Sequence, residues 1–338
     1  MSSSSLNNQT LPFATRLARS IARTGSILCA GFDPTLEQIP DFFSAPHKAA
    51  VSTEEYLFQV LRDYYTAALA VIADKVGCIK PNIAFFEQFG IGGLRALQVI
   101  SNTAAERGIP VILDAKRGDI ASTAEAYCRA YLQPHQAHGR PIDQIHADAL
   151  TMNPFLGFDT VRTFLSVCKD NGRGLFVLVK TSNPGSADIQ GLRTQGEFHG
   201  GKNAEQNAPS SAPLVMERIG QLLHTEGEAL RGENGFSGLG AVVGATYPDE
   251  ARALRAIMPD TLFLIPGYGS QGGAASDAVS GFCPRRASGG IVNISRGLFG
   301  LPKDFRGGLP EFQQLLTERL DRSNAELTGE LQSLRSNS

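Results

Sequence analysis

Eight short apolar segments recur along the chain, with room for a helix between most consecutive pairs. Each is a continuous apolar run rather than an alternation of apolar and polar residues, which is typical of parallel strands covered on both faces. The segments are ILCAG at 27–31, VGCIK at 76–80, PVILD at 110–114, DALTM at 148–152, GLFVLVK at 174–180, GAVVGA at 240–245, LFLIPG at 262–267 and GIVNIS at 290–295. The pattern predicts eight buried parallel strands.

Amphipathic segments separate these runs. In the clearest, Ser52–Asp74, Ser52 and Glu55 have the spacing of a capping box and apolar residues recur at helical intervals. Further helices are predicted at Gly93–Arg107, Asp119–Tyr131, Phe158–Asp170, Leu214–Arg231 and Pro248–Met258. Repeated strand–helix units predict an α/β fold, a (β/α)₈ TIM barrel. A doubly wound sheet is the alternative, and eight similar units favour closure.

One domain is expected, with the barrel at 11–325. The connection after the fifth strand is long, and its part at 194–213 is rich in Gly, Asn, Ser and Pro, which indicates a surface excursion rather than a domain boundary. Residues 1–10 are expected to be a disordered tail and residues 326–338 a fraying one.

Composition narrows the classes of function. The formal net charge is −2 and the sequence pI about 6.3, so no overall field attracts nucleic acid or an anionic membrane. No secretory signal is visible at the N-terminus, no run reaches membrane-spanning length, and the five scattered cysteines favour buried thiols in a reducing cytoplasm. His135 and His138 have no third ligand nearby, and no metal site is expected.

Charged residues cluster where the predicted strands end. Asp33 follows the first strand, Lys80 ends the second, Asp114 ends the third, and Lys116 and Asp119 come directly after it. Since strand ends form one mouth of a barrel, these groups should converge there. A stabilising ring of salt bridges is one interpretation. The other is a reaction centre, because coupled lysines and carboxylates are where perturbed pKa values arise.

The opposite side of the mouth is predicted to bind an anion. PGYGSQGG at 266–273 has four glycines in eight residues, which allows backbone N–H groups to approach a phosphate. Arg296 follows the eighth strand and can add a bidentate contact. Loops after strands seven and eight frequently bind phosphate in barrels of this kind.

These motifs together resemble the orotidine 5′-phosphate decarboxylase family, in its longer bacterial branch. LDAKRGDI at 113–120 carries a D-x-K-x-x-D signature, and IKPNIAFFEQFG, TSNPGS, PGYGSQGG and ISRGLF are similar to further segments of that family. The resemblance covers roughly residues 11–305. The signature alone also occurs in sister enzymes that act on sugar phosphates; Lys80 followed by Pro-Asn favours the orotidylate branch.

The resemblance implies roles for the charged residues. Lys80 would hydrogen-bond ribose and a carboxylate, Asp114 would lie against the substrate carboxylate, and Lys116 would donate a proton to C6 of the pyrimidine. Asp119 would reach into the neighbouring subunit's site, with Ile120 and Thr123 nearby. The family also implies a homodimer with sites at the interface, and no metal or organic cofactor.

Further substrate contacts are implied by the same resemblance. The residues are Asp33 for ribose hydroxyls, Ser182 for the pyrimidine edge, Gln271 as a bridge between base and phosphate, Arg296 with the Gly297 backbone for phosphate, and Asn153 and Pro154 as cavity wall. The small-molecule substrate would be orotidine 5′-monophosphate, converted to UMP in pyrimidine biosynthesis. Arg117 is expected in a structural or interface salt bridge.

Two other interpretations remain open. A magnesium-dependent decarboxylase or aldolase of the same superfamily would use carboxylates at the mouth, including an acid on strand two; here strand two ends in Lys80, and Glu87 is expected on a helix. A catalytically inactive nucleotide-binding barrel would be expected to lack one of Lys80, Asp114, Lys116 and Asp119, which are all present.

Overall fold

A computed structural model describes residues 11–194, 212–269, 272–302 and 305–336. Eight parallel strands form its centre, and all eight coincide with the predicted apolar runs to within a few residues. They are β1 (Leu28–Phe32), β2 (Cys78–Pro81), β3 (Ile112–Arg117), β4 (Ala149–Met152), β5 (Gly174–Lys180), β6 (Ser237–Val243), β7 (Thr261–Ile265) and β8 (Gly290–Ile294).

The strands close into a barrel. Hydrogen-bonded neighbours run in the order β2-β1-β8-β7-β6-β5-β4-β3, and every adjacent pair is parallel. Parallel bridges between Ile79 and Val111 and between Asn82 and Asp114 join the two ends of this order. The predicted (β/α)₈ TIM barrel is therefore confirmed, and the doubly wound alternative is wrong.

Helices surround the barrel and cover its outer face. They are α1 (Phe13–Thr24), α2 (Asp41–Ser44), α3 (Thr53–Ile72), α4 (Ile83–Glu87), α5 (Gly90–Glu106), α6 (Ala121–Tyr131), α7 (Phe158–Asn171), α8 (Ala187–Gln190), α9 (Val215–Glu226), α10 (Pro248–Ile257), α11 (Ala275–Val279), α12 (Arg296–Phe299) and α13 (Leu309–Ser336). The predicted cap of α3 is present, since Ser52 Oγ accepts the Glu55 N–H at 3.1 Å. None of the described helices combines the length and apolar character needed to cross a membrane.

Two apolar layers hold the fold together. One lies between the strands and the helices. The other fills the barrel interior, where Phe176 of β5 meets Phe13 of α1 edge to face at 5.9 Å between ring centroids. Helix α1, which the sequence analysis did not identify, therefore closes the end of the barrel at which the strands begin.

The C-terminal helix differs from the expectation of a fraying tail. Residues 326–336 continue α13 without a break, because Leu327 is buried and Leu331 and Leu334 pack against the core at helical spacing. The other predicted tail, 1–10, and most of the excursion after β5, 195–211, lie outside the described residues. A small antiparallel hairpin, Gln136–Ala137 with Arg140–Pro141, was not predicted.

Candidate active site

A cavity of about 570 Å³ opens at the end of the barrel where the strands finish. It contains six of the residues singled out from the sequence: Asp33, Lys80, Asp114, Lys116, Ser182 and Arg296. Apolar side chains from three strands, Leu178, Val242 and Leu264, lie beneath them. Four of the five strand-end charges that were predicted to converge on one mouth therefore do so, and Asp119 does not line the cavity.

Asp114 is the centre of a buried charge network. Each of its two carboxylate oxygens accepts a hydrogen bond from a lysine. Lys80 Nζ lies 2.7 Å from Oδ2, and Lys116 Nζ lies 2.7 Å from Oδ1. Asp114 and Lys116 are two residues apart on β3, so both side chains face the cavity. The Lys80 side chain is buried, whereas that of Lys116 is 50% exposed and is the member open to a ligand.

The network fixes the charge of its buried members. Burial alone would lower the pKa of Lys80, but Asp114 and Asp33 raise it above its usual range. Burial would raise the pKa of Asp114, but Lys80 and Lys116 hold it well below its usual range. At neutral pH the two buried members, Lys80 and Asp114, are therefore an ammonium group and a carboxylate held as an ion pair.

The backbone of β3 departs from regular geometry at this point. Lys116 has φ +47°, in the left-handed region that non-glycine residues seldom adopt. The pairing between β3 and β4 shifts register between Leu113 and Arg117. Such conformations cost free energy and are found most often at functional sites, where surrounding contacts hold them.

Thr151 of β4 holds the backbone of Lys116 in this conformation. This threonine was not among the residues singled out from the sequence. Its hydroxyl accepts the Lys116 backbone N–H at 2.9 Å and donates to Asp114 Oδ1 at 2.9 Å. Thr151 is buried. The apolar run DALTM at 148–152 contains the residue, but only the three-dimensional register shows that its hydroxyl faces β3.

Polar groups without partners face the same cavity. Among the described residues no hydrogen bond is made to Asp33 Oδ1 or Asn293 Oδ1, although both atoms are buried from water. Unpaired buried acceptors are costly. Both residues line the cavity, so hydroxyl or N–H donors of a ligand can satisfy them. Asn293, on β8, was not identified from the sequence.

Arg296 begins α12, is exposed and lines the cavity. Within the described part of the chain its guanidinium makes no ion pair or side-chain hydrogen bond, so its charge is available to an anion.

The backbone of the glycine-rich loop is less available to an anion than predicted, because the N–H groups of Gly269, Gly272 and Gly273 donate to carbonyls within the loop. The side chain of Arg296 is thus the stronger candidate for the anion contact, and Gln271 lies outside the described residues.

The remaining predicted residues lie outside the cavity wall of this chain. Asp119 Oδ1 accepts the N–H of its neighbour Ile120, which is exposed, as is Thr123 at the start of α6. Asn153 and Pro154 are not among the residues that line the cavity in this single chain, and Asn153 Oδ1 accepts the Phe155 N–H at 3.1 Å. Gly297, next to Arg296, is also outside the wall.

Arg117, which was expected in a structural or interface salt bridge, makes local contacts. Arg117 pairs with Glu87 of α4 at 3.1 Å and lies over the ring of Tyr127, so the predicted structural salt bridge is confirmed. No group of three His, Cys, Asp or Glu side chains suited to a metal occurs among the described residues.

Comparison with known proteins identifies the family. Residues 27–304 match the family model for orotidine 5′-phosphate decarboxylase / HUMPS. The chain belongs to this family. The enzyme class that the resemblance implies, a decarboxylase and hence a carboxy-lyase, agrees with the names of its relatives.

Two relatives and one solved structure show how far the similarity extends. Orotidine 5′-phosphate decarboxylase of Rhodopirellula baltica is 37% identical over 290 residues, which covers 85% of this chain and 87% of that protein. The enzyme of the same name from Caldicellulosiruptor bescii is 35% identical over 296 residues, with 87% and 92% covered. The structure of Leishmania donovani OMP decarboxylase, 28% identical, covers 93% of this chain and 99% of that one with a TM-score of 0.63.

Proposed function

We propose that this chain converts orotidine 5′-monophosphate to UMP and CO₂, as a step of pyrimidine biosynthesis, without a metal or organic cofactor. The observation that carries the proposal is the Lys80–Asp114–Lys116 network inside the cavity. The relatives are named as orotidine 5′-phosphate decarboxylases, which supports the same substrate. The sister activity on sugar phosphates is less favoured, because the second strand presents a buried lysine where a carboxylate would be needed for a cation.

The chemistry requires a proton at a particular carbon atom. When the bond from C6 to the carboxylate breaks, its electron pair stays on C6 in an orbital in the ring plane, where the π-system cannot accept it. A preorganised cation next to C6 stabilises this charge without reorganisation of solvent. We infer that the ammonium of Lys116 does this and then transfers a proton to C6, after which solvent reprotonates the amine.

The other members of the network keep Lys116 in place. Asp114 holds its ammonium at 2.7 Å and Thr151 holds its backbone N–H. Lys80 balances the charge of Asp114 and, with Asp33, would contact the ribose. Fixed geometry of this kind lowers the barrier because less freedom is lost on reaching the transition state.

The phosphate is assigned to Arg296, with Ser182 at the pyrimidine edge. Binding energy from a phosphate remote from the reacting bond can be used to orient the ring over Lys116. Gln271 and the Gly297 backbone are proposed to contribute there as well.

We further propose a homodimer in which Asp119 enters the neighbouring subunit's cavity. Asp119 lies outside its own cavity wall. Exposed apolar side chains lie on the connections after β3, β4 and β5: Ile120 (55% exposed), Phe155 (78%), Leu156 (52%), Ile189 (53%) and Leu192 (55%). Apolar exposure of this kind marks interaction surfaces. Ile120 and Thr123 would then lie close to the partner's substrate.

The test is UMP formation from orotidine 5′-monophosphate by protein treated with EDTA. We expect rapid turnover that added magnesium does not increase. No turnover of this nucleotide, together with magnesium-dependent activity on a pentulose or hexulose phosphate, would contradict the proposal and assign the chain to the sister branch.

A further inference from the structure

Helix α13 contacts both segments that border the phosphate side of the cavity. The hydroxyl of Tyr268, in the loop after β7, donates to Glu326 Oε2 at 2.7 Å. Arg319 Nη1 donates to the carbonyl of Leu298 in α12 at 2.7 Å. We propose that α13 positions the phosphate-binding side of the site, with Tyr268, Glu326 and Arg319 as positioning residues. The inference rests on the proposed function and adds a structural support to it.

Tyr268 lies in a segment that needs an external support. Its neighbours Gly267 and Gly269 have φ +101° and +72°, and glycines at such positions lose much conformational freedom on folding. Tyr268 is buried in the core cluster and is also one of the residues that line the cavity. Burial and the hydrogen bond to Glu326 raise the pKa of Tyr268 to about 12, so the hydroxyl remains a donor throughout the neutral range.

Arg319 supports the second segment. Helix α12 has only four residues and begins with Arg296, the proposed phosphate ligand. A helix this short leaves carbonyls without intrahelical partners. Arg319 satisfies the carbonyl of Leu298, two residues after Arg296, and so ties the turn that carries the phosphate ligand to α13.

Helix α13 is itself firmly attached to the barrel. Phe312, Leu316, Leu320 and Leu327 are buried. Asn324 links it to the residues before β1 and β2, since its Oδ1 accepts from Ser26 Oγ at 2.6 Å and its Nδ2 donates to the Lys75 carbonyl at 2.9 Å. A helix fixed in this way can hold two short segments in their binding geometry before the ligand arrives, which reduces the entropy lost on binding.

Loss of the contacts from α13 should weaken the binding of ligands that carry a phosphate and leave other ligands little affected. Without the Tyr268–Glu326 bond, the segment must be ordered by the ligand, so orotidine 5′-monophosphate and UMP should bind more weakly. Uridine, which has no phosphate, should be affected little. The bound complex still places C6 over Lys116, so the loss should fall mainly on KM rather than on kcat.

The experiment compares Tyr268→Phe, Glu326→Ala and Glu326→Gln with wild type. We expect Tyr268→Phe and Glu326→Ala each to raise KM for orotidine 5′-monophosphate and Kd for UMP by about three- to tenfold, with kcat changed less than about twofold. Glu326→Gln keeps an oxygen acceptor and should restore values close to wild type. Adding Glu326→Ala to Tyr268→Phe should make KM and Kd no worse than in Tyr268→Phe alone, because that variant already lacks the Tyr268–Glu326 bond.

Glu330→Ala is the matched control, one turn further along the same helix. If Glu326→Ala behaves like Glu330→Ala while wild type turns over the nucleotide, the positioning role is wrong and the proposed function stands. Equal losses for UMP and uridine would also overturn it, because they would indicate general destabilisation. Absence of turnover in wild type would instead overturn the proposed function, and with it this inference.

Discussion

Two buried aspartates, Asp114 and Asp148, lie at opposite ends of the barrel, and each is surrounded by cations. At the mouth, Asp114 accepts from Lys80, Lys116 and Thr151. At the base, Asp148 accepts from Arg16, from Arg173 at 3.1 Å and from the Val111 N–H at 2.8 Å, with His146 Nε2 also 3.1 Å away. The two clusters use similar charges for different purposes.

The difference lies in what covers each cluster. At the base, α1 seals the barrel, and Arg16 also donates to the carbonyls of Gly172 and Leu11. At the mouth, Lys116 is half exposed, and acceptor atoms of Asp33 and Asn293 in the cavity have no hydrogen-bond partner among the described residues. A charge cluster that is covered and paired holds elements together, whereas one left open next to unpaired acceptors is arranged for a ligand.

The largest effect on stability should come from the base cluster. Asp148→Asn leaves Arg16 and Arg173 without a counter-charge, and removing one partner of a buried ion pair costs about 3 kcal/mol or more. We expect the free energy of unfolding in urea to fall by about that amount, with kcat unchanged at temperatures where the variant is folded. Asp170→Asn, an exposed change on α7, is the control. Loss of turnover in folded Asp148→Asn protein would break the distinction between the two ends.

At the mouth, Arg296→Ala should affect ligands rather than stability. Its guanidinium is exposed and makes no ion pair among the described residues, so its removal leaves no buried charge alone. We expect kcat/KM for orotidine 5′-monophosphate to fall about a hundredfold, from the loss of a charge-assisted contact, with uridine binding unchanged. Equal losses for both ligands would contradict the phosphate assignment.

A smaller change, in the free energy of unfolding, should appear on acidification. Burial alone would raise the pKa of Asp148, but His146, Arg16 and Arg173 hold it well below its usual range. The carboxylate therefore contributes stability above about pH 4, and this is lost as pH falls toward the folded-state pKa. The difference in unfolding free energy between wild type and Asp148→Asn should shrink between about pH 4 and pH 2. A constant difference over this range would show that the pKa is not depressed.

The sequence was sufficient for the strands and for the charged part of the site. Strands buried on both faces are continuous apolar runs, and Lys80, Asp114 and Lys116 stand out because charges directly after such runs are unusual. Helices α1 and α13 were not identified, and the packing of α13 through Leu327 was mistaken for a fraying end. Their role follows from where they dock, which a local pattern does not contain.

The cavity residues that were not predicted from the sequence are mainly neutral and polar. Thr151 and Asn293 lie at β-strands, where a single threonine or asparagine does not by itself indicate a function. Thr151 matters because the register shift between β3 and β4 brings its hydroxyl to Asp114. Asn293 matters because its residue lines the cavity and its amide oxygen has no partner in the described part of the chain. The expected wall position of Asn153 stays a prediction; in this single chain its Oδ1 accepts the Phe155 N–H.

The most direct test of the central claim is the turnover number of Lys116→Ala with orotidine 5′-monophosphate, set beside its thermal stability and its affinity for UMP. Since this lysine is half exposed, we expect a melting temperature close to that of wild type and UMP binding within about tenfold, with kcat lower by about 10⁴-fold or more. Turnover like that of wild type would remove Lys116 as the proton donor. It would also mean that the open cluster, like the sealed one, is structural.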